Sequence, residues 1–330
     1  MPSLTFRLPN LAKPLKLVDT KYFEVRPLMP SLPGTFHRVI IGDSREMKEI
    51  KDKEIHLVIT SPPYYNAPFD YKGYFTKYSQ FLSLMKDVAK EIKRVLQDGR
   101  IVCINCDDML VDGEKFPIVA DVTKIFMAEG FAYRDALIWK KPEGYIRKSR
   151  RSGVIIQHPY PMYYYPDNLT ETILIFQKGD FDYQSIDSQV RKFSRIDIPG
   201  DFLREKWYLN VWEITNVLPL DRIEKDVAAF PDELPYRLIQ LFSFVGETIL
   251  DPFLGSGTTI KVAKELGRNS VGYEIDERLI RVIESKVAQR LRKKQTKLLE
   301  ANFIFREISE PPPYELKITR RERVTTLVPK

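Results

Sequence analysis

Short apolar runs and amphipathic helical stretches take turns along most of this chain, and that alternation constrains the fold more than any other feature. Val39–Gly42 (VIIG) ends at Asp43, and Ile55–Thr60 (IHLVIT) is broken sharply by Ser61-Pro62-Pro63. Between Tyr78 and Gln97, Phe81, Met85, Val88, Ile92 and Val95 recur at helical spacing, and Gly99 is placed to end that helix. Ile101–Asn105 (IVCIN) predicts the next strand, followed by a helix through Ile118–Met127 and a strand at Tyr133–Trp139. One clean strand, Thr172–Phe176, interrupts a less regular region. Alternation resumes with a strand at Thr248–Leu250, a helix from about Thr258 to Leu266 and a strand at Ser270–Tyr273. A last helix starts at Glu277, with Leu279, Ile283, Val287 and Leu291 as an i, i+4 stripe. Strands separated by helices need crossover connections, which predicts an α/β fold with a mainly parallel sheet and helices on both faces. Ligands of such sheets gather outside the carboxyl ends of the strands, so function is sought just after each strand.

Composition narrows the classes. With 43% hydrophobic and 29% charged residues, the 330-residue chain is not wholly disordered. Fifty-two Lys plus Arg against 45 Asp plus Glu give a net charge of +7 and a pI near 9.1, a balance that suits a polyanionic partner. Cys103 and Cys106 are the two cysteines, which excludes a disulfide framework and fits a reducing cytoplasm. Their C-x-x-C spacing has no second pair and reads as two buried small hydrophobes. Three histidines (His37, His56 and His158) speak against a multi-ligand zinc site, and no metal is expected. No stretch approaches the roughly 20 apolar residues of a membrane span, nor is there an apolar signal core at the N-terminus, so no membrane partner is expected.

Two motifs carry chemistry. Asp251-Pro252-Phe253-Leu254-Gly255-Ser256-Gly257-Thr258-Thr259 lies between a strand and a helix. Its glycines permit a tight turn and close approach of a ligand, and the N–H groups opening the helix suit a carboxylate. Glu274 ends the next strand, at a spacing that suits a carboxylate holding ribose hydroxyls. No Lys follows the last glycine, so this is no Walker loop, and the full G-x-G-x-x-G of dinucleotide enzymes is absent. The second motif, Thr60-Ser61-Pro62-Pro63-Tyr64, leaves its strand rigidly because two prolines forbid further pairing. Ser61 and the carbonyl of Pro62 then offer two acceptors beside the aromatic face of Tyr64. An amino group on a planar heterocycle needs such acceptors and such a face.

Together these residues resemble the amino-group DNA methyltransferases that use S-adenosyl-L-methionine. SPPY is similar to their catalytic motif and DPFLGSGTT to their cofactor motif; the order found here matches the circularly permuted β group. The resemblance runs from about Val39 to Val287. It implies a Rossmann-like methyltransferase fold, with Ser61, Pro62, Pro63 and Tyr64 acting on the base. It implies cofactor contacts at Asp251, Pro252, Phe253, Gly255, Ser256, Gly257, Thr258 and Glu274. Gly42-Asp43-Ser44 resembles the motif whose acidic group meets the adenine, placing Asp43 and Ser44 at the cofactor as well. Ala228–Leu234 resembles the segment that contacts the methionine part; its usual histidine is replaced by Asp226, so Phe230, Pro231 and Leu234 alone are carried over. Likeness at Asn105 and Asp108 is looser. The implied division is an N-terminal arm (1–36), a catalytic half (37–140) and a target-recognition region (141–225) with one returning strand near 171–177. A cofactor-binding half (226–300) and a basic C-terminal tail (301–330) complete it.

In the family an exocyclic amine, turned out of the duplex, attacks the sulfonium methyl directly. Ser at the first motif position implies cytosine N4 as target, whereas Asp or Asn there is usual for adenine N6, which stays the alternative. A catalytically silent DNA-binding subunit on the same scaffold and an RNA-modifying enzyme are further readings. Cytosine C5 chemistry needs a thiolate in a Pro-Cys setting that neither cysteine has. Lys140, Lys141, Arg147, Lys148, Arg150 and Arg151, with the tyrosines up to Tyr165, are candidates to touch double-stranded DNA, since basic side chains neutralise phosphates. A cognate restriction endonuclease as partner, and monomer or homodimer, stay open.

Overall fold

Period-two burial in the strands and period-3.6 burial in the helices interlock to give a layered α/β structure. The computed structural model describes residues 34–66, 75–142, 150–215, 229–288 and 314–320, all within one unit spanning Pro33–Lys330. In chain order the first elements are β1 (Thr35–Ile41), β2 (Ile55–Thr60), α1 (Tyr78–Val95), β3 (Leu96–Cys106), β4 (Met109–Val111), β5 (Glu114–Phe116) and α2 (Ile118–Ala128). There follow β6 (Ala132–Lys140), α3 (Arg150–Gln157), β7 (Thr170–Gln177), α4 (Ser188–Phe193), a π-helical turn (Ile198–Arg204) and β8 (Val211–Glu213). The last are α5 (Glu233–Phe242), β9 (Thr248–Asp251), α6 (Thr258–Glu265), β10 (Asn269–Glu274), α7 (Ile280–Ala288) and β11 (Tyr314–Arg320).

Nine of these strands form one sheet in the order β11-β1-β10-β9-β2-β3-β7-β6-β8. All neighbours run parallel except β7, which opposes both β3 and β6. Alternation along the strands loads both faces. On β3, Val102, Ile104 and Cys106 pack under α1 and α2, while Ile101 and Cys103 join the opposite core with Leu234, Leu238 and Ile239 of α5 and Val262 of α6. Ile283 and Val287 of α7 pack with Val39 and Ile41 of β1 in a third cluster. The α/β architecture with a mainly parallel sheet therefore stands as the strand–helix alternation predicts.

Several boundaries differ from the sequence reading. β1 begins at Thr35, so the end of the expected arm is already sheet; residues 1–33 lie outside the described residues. α1 stops at Val95, and Gly99 lies inside β3 rather than ending the helix. Residues 314–320, expected in a tail outside the fold, form the edge strand β11 parallel to β1. The segment YELKITR explains this: Leu316 and Ile318 pack against the β1–α7 core, while Glu315, Lys317 and Thr319 point to solvent. Charges on the open edge discourage further strand pairing.

The registers place one rim. Ile41 pairs with Glu274, Gly272 with Asp251, Thr60 with Ile104 and Cys106 with Thr172, and Lys140 with Thr170. Because β7 is antiparallel, the chain between β6 and β7 leaves and re-enters the sheet on the same side as the carboxyl ends of β1, β2, β9 and β10. Close packing at this rim depends on Gly272, where a Cβ would sit 2.8 Å from both δ-carbons of Leu254. Leu254 is itself buried, and its N–H donates to the carbonyl of Tyr273 (2.8 Å). Gly272→Ala is expected to destabilise the fold by about 1–3 kcal/mol in urea unfolding, through overpacking against Leu254. Leu254→Ala in the same chain should recover part of that loss, and purely additive losses would show that the crowding lies elsewhere.

Candidate active site

A cleft with about 840 Å³ of empty space, part of it open to solvent, lies at this rim. Asp43 and Ser44 line it after β1, and Ser61, Pro62, Pro63 and Tyr64 line it after β2. From the other half of the sequence come Pro252, Phe253, Gly255, Ser256, Thr258 and Glu274, with Phe230 ahead of α5. The two motifs are joined directly. Asp251 is almost fully buried at the end of β9. Its Oδ1 accepts from Thr60 Oγ1 (2.7 Å), 191 positions away, and from Phe253 N (3.2 Å). Its Oδ2 accepts from Thr259 Oγ1 on α6 (2.6 Å). Burial pushes this carboxyl up to about 6, with the two threonine hydroxyls pulling the other way.

The glycine loop turns as its residues allow. Gly257 caps α6 with φ +89°, a left-handed value, and a Cβ there would come within 3.2 Å of Ile283. Glu274 closes the cleft from the end of β10. Its Oε2 accepts from Gly255 N, and its Oε1 accepts from Ile275 N and Asp276 N, each at 2.8 Å. Burial raises this carboxyl to about 7, against the pull of those three amides. A carboxylate has about four acceptor positions, so Glu274 retains capacity beyond its backbone partners. Phe230, Phe253, Leu254 and Ile275 supply apolar walls. A carboxylate fixed by backbone beside apolar walls and a glycine turn is a donor set that fits a nucleoside with a charged tail.

Some expected cofactor residues do not reach the cleft. Leu234 is fully buried in the core under α5, Pro231 is buried next to Phe230, and Gly257 and Asp251 act through the loop's shape; none of the four lines the cleft. Asp43 does line it, but its carboxylate is taken by Arg45, whose Nε (2.9 Å), terminal amino group (2.7 Å) and backbone N–H (2.9 Å) all donate to it. Asp226 lies outside the described residues. Sequence reasoning missed Leu84 of α1, Tyr273 and Ile275 as lining residues, and also Lys286 of α7, whose Nζ donates to Ser256 Oγ (2.6 Å) and Thr258 Oγ1 (3.1 Å). Tyr273 and Ile275, which flank Glu274, were signalled by position.

The comparisons with known proteins decide the family. The DNA methylase family model matches residues 55–285, which takes in both motifs and the sheet between them. The chain belongs to this family of N4/N6 DNA methylases. Type II methyltransferase M.MjaI of Methanocaldococcus jannaschii is 36% identical to the methylase, over 77% of this chain and 91% of that protein. Type II methyltransferase M.MthZI of Methanothermobacter thermautotrophicus is 32% identical, over 84% and 81%. Among solved structures, TTHA0409 of Thermus thermophilus in complex with S-adenosyl-L-methionine superposes with a TM-score of 0.64 at 27% identity, covering 87% of this chain and 100% of that one. The methylase has the S-adenosylmethionine-dependent methyltransferase fold, and S-adenosylmethionine is its cofactor.

The basic candidates divide. Lys140 Nζ pairs with Glu213 Oε1 (2.9 Å) at the sheet edge. Lys141 pairs with Glu171 and lies 5.0 Å from the Trp139 ring centroid, so in this structure both charges are engaged within the protein. Arg147 and Lys148 lie outside the described residues. Arg150 and Arg151 open α3, and their side chains lie outside them too. Beyond α3, Tyr160, Met162, Tyr163, Tyr164 and Tyr165 are all exposed on the loop that returns to the rim. Cys103 and Cys106 are free and buried, they belong to cores on opposite faces of β3, and burial pushes both thiols up. Neither is a nucleophile. Among the described residues there is no cluster of three or more potential metal ligands, and no helix is long and apolar enough to cross a membrane.

The Thr60–Asp251 bond makes a direct prediction. Thr60→Val keeps the side-chain shape and leaves Asp251 Oδ1 with only the Phe253 amide. It should cost about 1–3 kcal/mol in urea unfolding, the range for losing a hydrogen bond to a buried charge. Calorimetry should also show weaker S-adenosylmethionine binding, since the bond ties the two motifs; unchanged affinity with lowered stability would confine the bond to folding.

Proposed function

We propose that this methylase is a site-specific enzyme of the circularly permuted β group that methylates the exocyclic N4 of cytosine in double-stranded DNA. The observation that carries the proposal is the shared cleft, which Ser61 and Pro62 line together with the glycine loop and Glu274. Bound there, S-adenosylmethionine supplies a methyl group on a sulfonium whose departure leaves a neutral thioether. The chain's own residues do the rest. Glu274 accepts from ribose hydroxyls, Gly255, Ser256 and Thr258 shape the tail's seat, and Phe230 and Phe253 exclude water. Asp43 and Ser44 border the adenine side.

On the base side, Tyr64 offers a ring face to the flipped cytosine, offsetting part of the few kcal/mol that unstacking costs. Ser61 Oγ and the Pro62 carbonyl accept from the amino group. They draw its nitrogen out of conjugation and stabilise the positive charge that grows on it. Pro63 fixes the chain so that both acceptors stay in place. A hydroxyl at residue 61, rather than an acceptor-only carboxylate, is what favours cytosine over the adenine N6 alternative. The exposed tyrosines 160 and 163–165, on the loop that rises from the cleft's own rim, together with Arg147, Lys148, Arg150 and Arg151, are the proposed DNA-facing surface. Lys140 and Lys141 take part only by exchanging their present partners for phosphates. The proposed role is restriction-modification or epigenetic marking, the former supported by the Type II methyltransferase names of the two archaeal relatives.

Two measurements test it. DNA treated with the enzyme and S-adenosylmethionine, then digested to nucleosides and weighed by mass spectrometry, should yield N4-methyldeoxycytidine; N6-methyldeoxyadenosine alone would overturn the base assignment. Cofactor affinity should depend on Glu274. Its carboxyl, raised to about 7, is mostly protonated at pH 6 and ionised at pH 8, so binding should tighten as pH rises through that window. Folding stability runs the opposite way: an acid raised above its unfolded value contributes least once both states are ionised, so stability falls as pH climbs toward 7. Glu274→Gln should flatten both profiles in calorimetry and thermal unfolding, and an unchanged affinity profile in that variant would remove Glu274 from the cofactor.

A further inference from the structure

Behind Tyr64 lies a polar cluster that the methyl-transfer reading does not use. The Tyr64 hydroxyl donates to Glu171 Oε2 at 2.7 Å, and the same oxygen accepts from Asn105 Nδ2 at 2.5 Å. The other carboxylate oxygen is paired with Lys141 Nζ. Glu171 and Asn105 are buried, Tyr64 is only 8% exposed, and Lys141 is partly covered by Trp139. An ionised carboxylate only accepts, so the phenolic proton of Tyr64 is committed to it. Burial, followed by the charge of Glu171, raises the phenol well above its ordinary range, so the donor stays protonated.

The four residues come from different parts of the fold. Tyr64 follows β2, Asn105 is near the end of β3, Glu171 is the second residue of β7 and Lys141 is the first residue after β6. Lys141 N also donates to Leu169 O (2.9 Å), closing the neck of the segment that leaves the sheet after β6 and returns at β7. That segment carries the exposed tyrosines, and a second bond holds it nearby, from Asn168 Nδ2 to Asp107 Oδ2 (2.7 Å). Prolines 62 and 63 fix the backbone leading to Tyr64, and the hydroxyl bond to Glu171 anchors the far end of its side chain, fixing the direction in which the ring extends.

We infer that Glu171 is a positioning residue for methyl transfer: it holds the Tyr64 ring in the place the target base needs and ties that ring, through Lys141, to the neck of the DNA-facing segment. This rests on the reading of Tyr64 as the surface that receives the base. Glu171 touches neither base nor cofactor, and its effect is transmitted through one hydrogen bond and one ion pair. Lys141 balances the buried charge, which would otherwise be costly to keep ionised. The cluster also explains why Lys141 is a poor candidate for a phosphate contact: moving it would release Glu171.

The test is a double-mutant cycle on the full chain, using unmethylated plasmid DNA and radiolabelled S-adenosylmethionine. Glu171→Gln and Tyr64→Phe should each lower kcat by about tenfold to a hundredfold, the scale on which small misplacements act. S-adenosylmethionine affinity by calorimetry should stay within about twofold in each, because neither group reaches the cofactor loop. Glu171→Gln/Tyr64→Phe should be no slower than the worse single variant, since both remove the same bond. Losses that multiply, or wild-type turnover in Tyr64→Phe, would overturn the inference. If Glu171→Gln fails to fold, the cycle runs with Lys141→Met in its place, with the same expectation. The base modified by the unaltered enzyme does not enter this outcome: adenine as product would sink the cytosine assignment and leave the cycle interpretable, while additive losses would sink the positioning role alone.

Discussion

One buried carboxylate holds the two halves of this cleft in register. Asp251 takes hydroxyl bonds from Thr60, at the end of the strand that delivers Ser61-Pro62-Pro63-Tyr64, and from Thr259, in the first turn of the helix behind the glycine loop. Such a group is expensive to bury, and burial makes it a weaker acid than an exposed aspartate. Two threonine hydroxyls and the Phe253 amide, fixed by sheet, helix and loop, favour its ionised form. Remove that junction and the motifs are two loops on neighbouring strands; with it, they are one wall.

The same economy of fixed partners recurs on the other carboxylates of the rim. Glu274 is held by three backbone amides, Asp43 by three donors of Arg45, and Glu171 by a phenol, an amide and an ammonium. Each is oriented before any ligand arrives, and a preoriented dipole costs no reorganisation when charge develops beside it. The groups differ in what they leave over. Glu274 keeps acceptor capacity beyond its backbone partners, Asp43 lines the cleft with its carboxylate bonded to Arg45, and Glu171 is committed inward.

Much of this was legible in the sequence because it is local. The apolar run Ile55–Thr60 followed by two prolines fixes both a strand and its end, and the observed β2 has those bounds. The stripe Phe81, Met85, Val88, Ile92 and Val95 is the buried face of α1. The shared cleft was legible too, since the parallel-sheet rule sends both motifs to one rim. Other elements were written in local signals that went unread. Asp112-Gly113 between short runs is a hairpin turn, and both residues take positive φ between β4 and β5. Pro235 masks α5, yet it falls in the first turn, where a missing N–H does no harm. β11 was hidden by its charges, because only Leu316 and Ile318 speak for a strand.

What no local reading supplies is which charged side chain finds which partner. Lys140 and Lys141 are adjacent, and by composition both belong to a basic cluster. The sheet separates them: Lys140 reaches Glu213 on the edge strand, while Lys141, one residue on, reaches inward to Glu171 on the other neighbouring strand. Glu171 itself, polar at the start of an apolar strand, reads in sequence as a solvent-facing end residue. It is buried because β7 is antiparallel and enters the sheet at the catalytic rim, beside β3 and within reach of Tyr64. Strand direction, a property of the whole sheet, therefore decides that an acid at the start of β7 meets the ring that follows β2. Of the two described lysines of that basic cluster, one pairs at the sheet edge and the other holds an inward-facing acid, and topology sorts them.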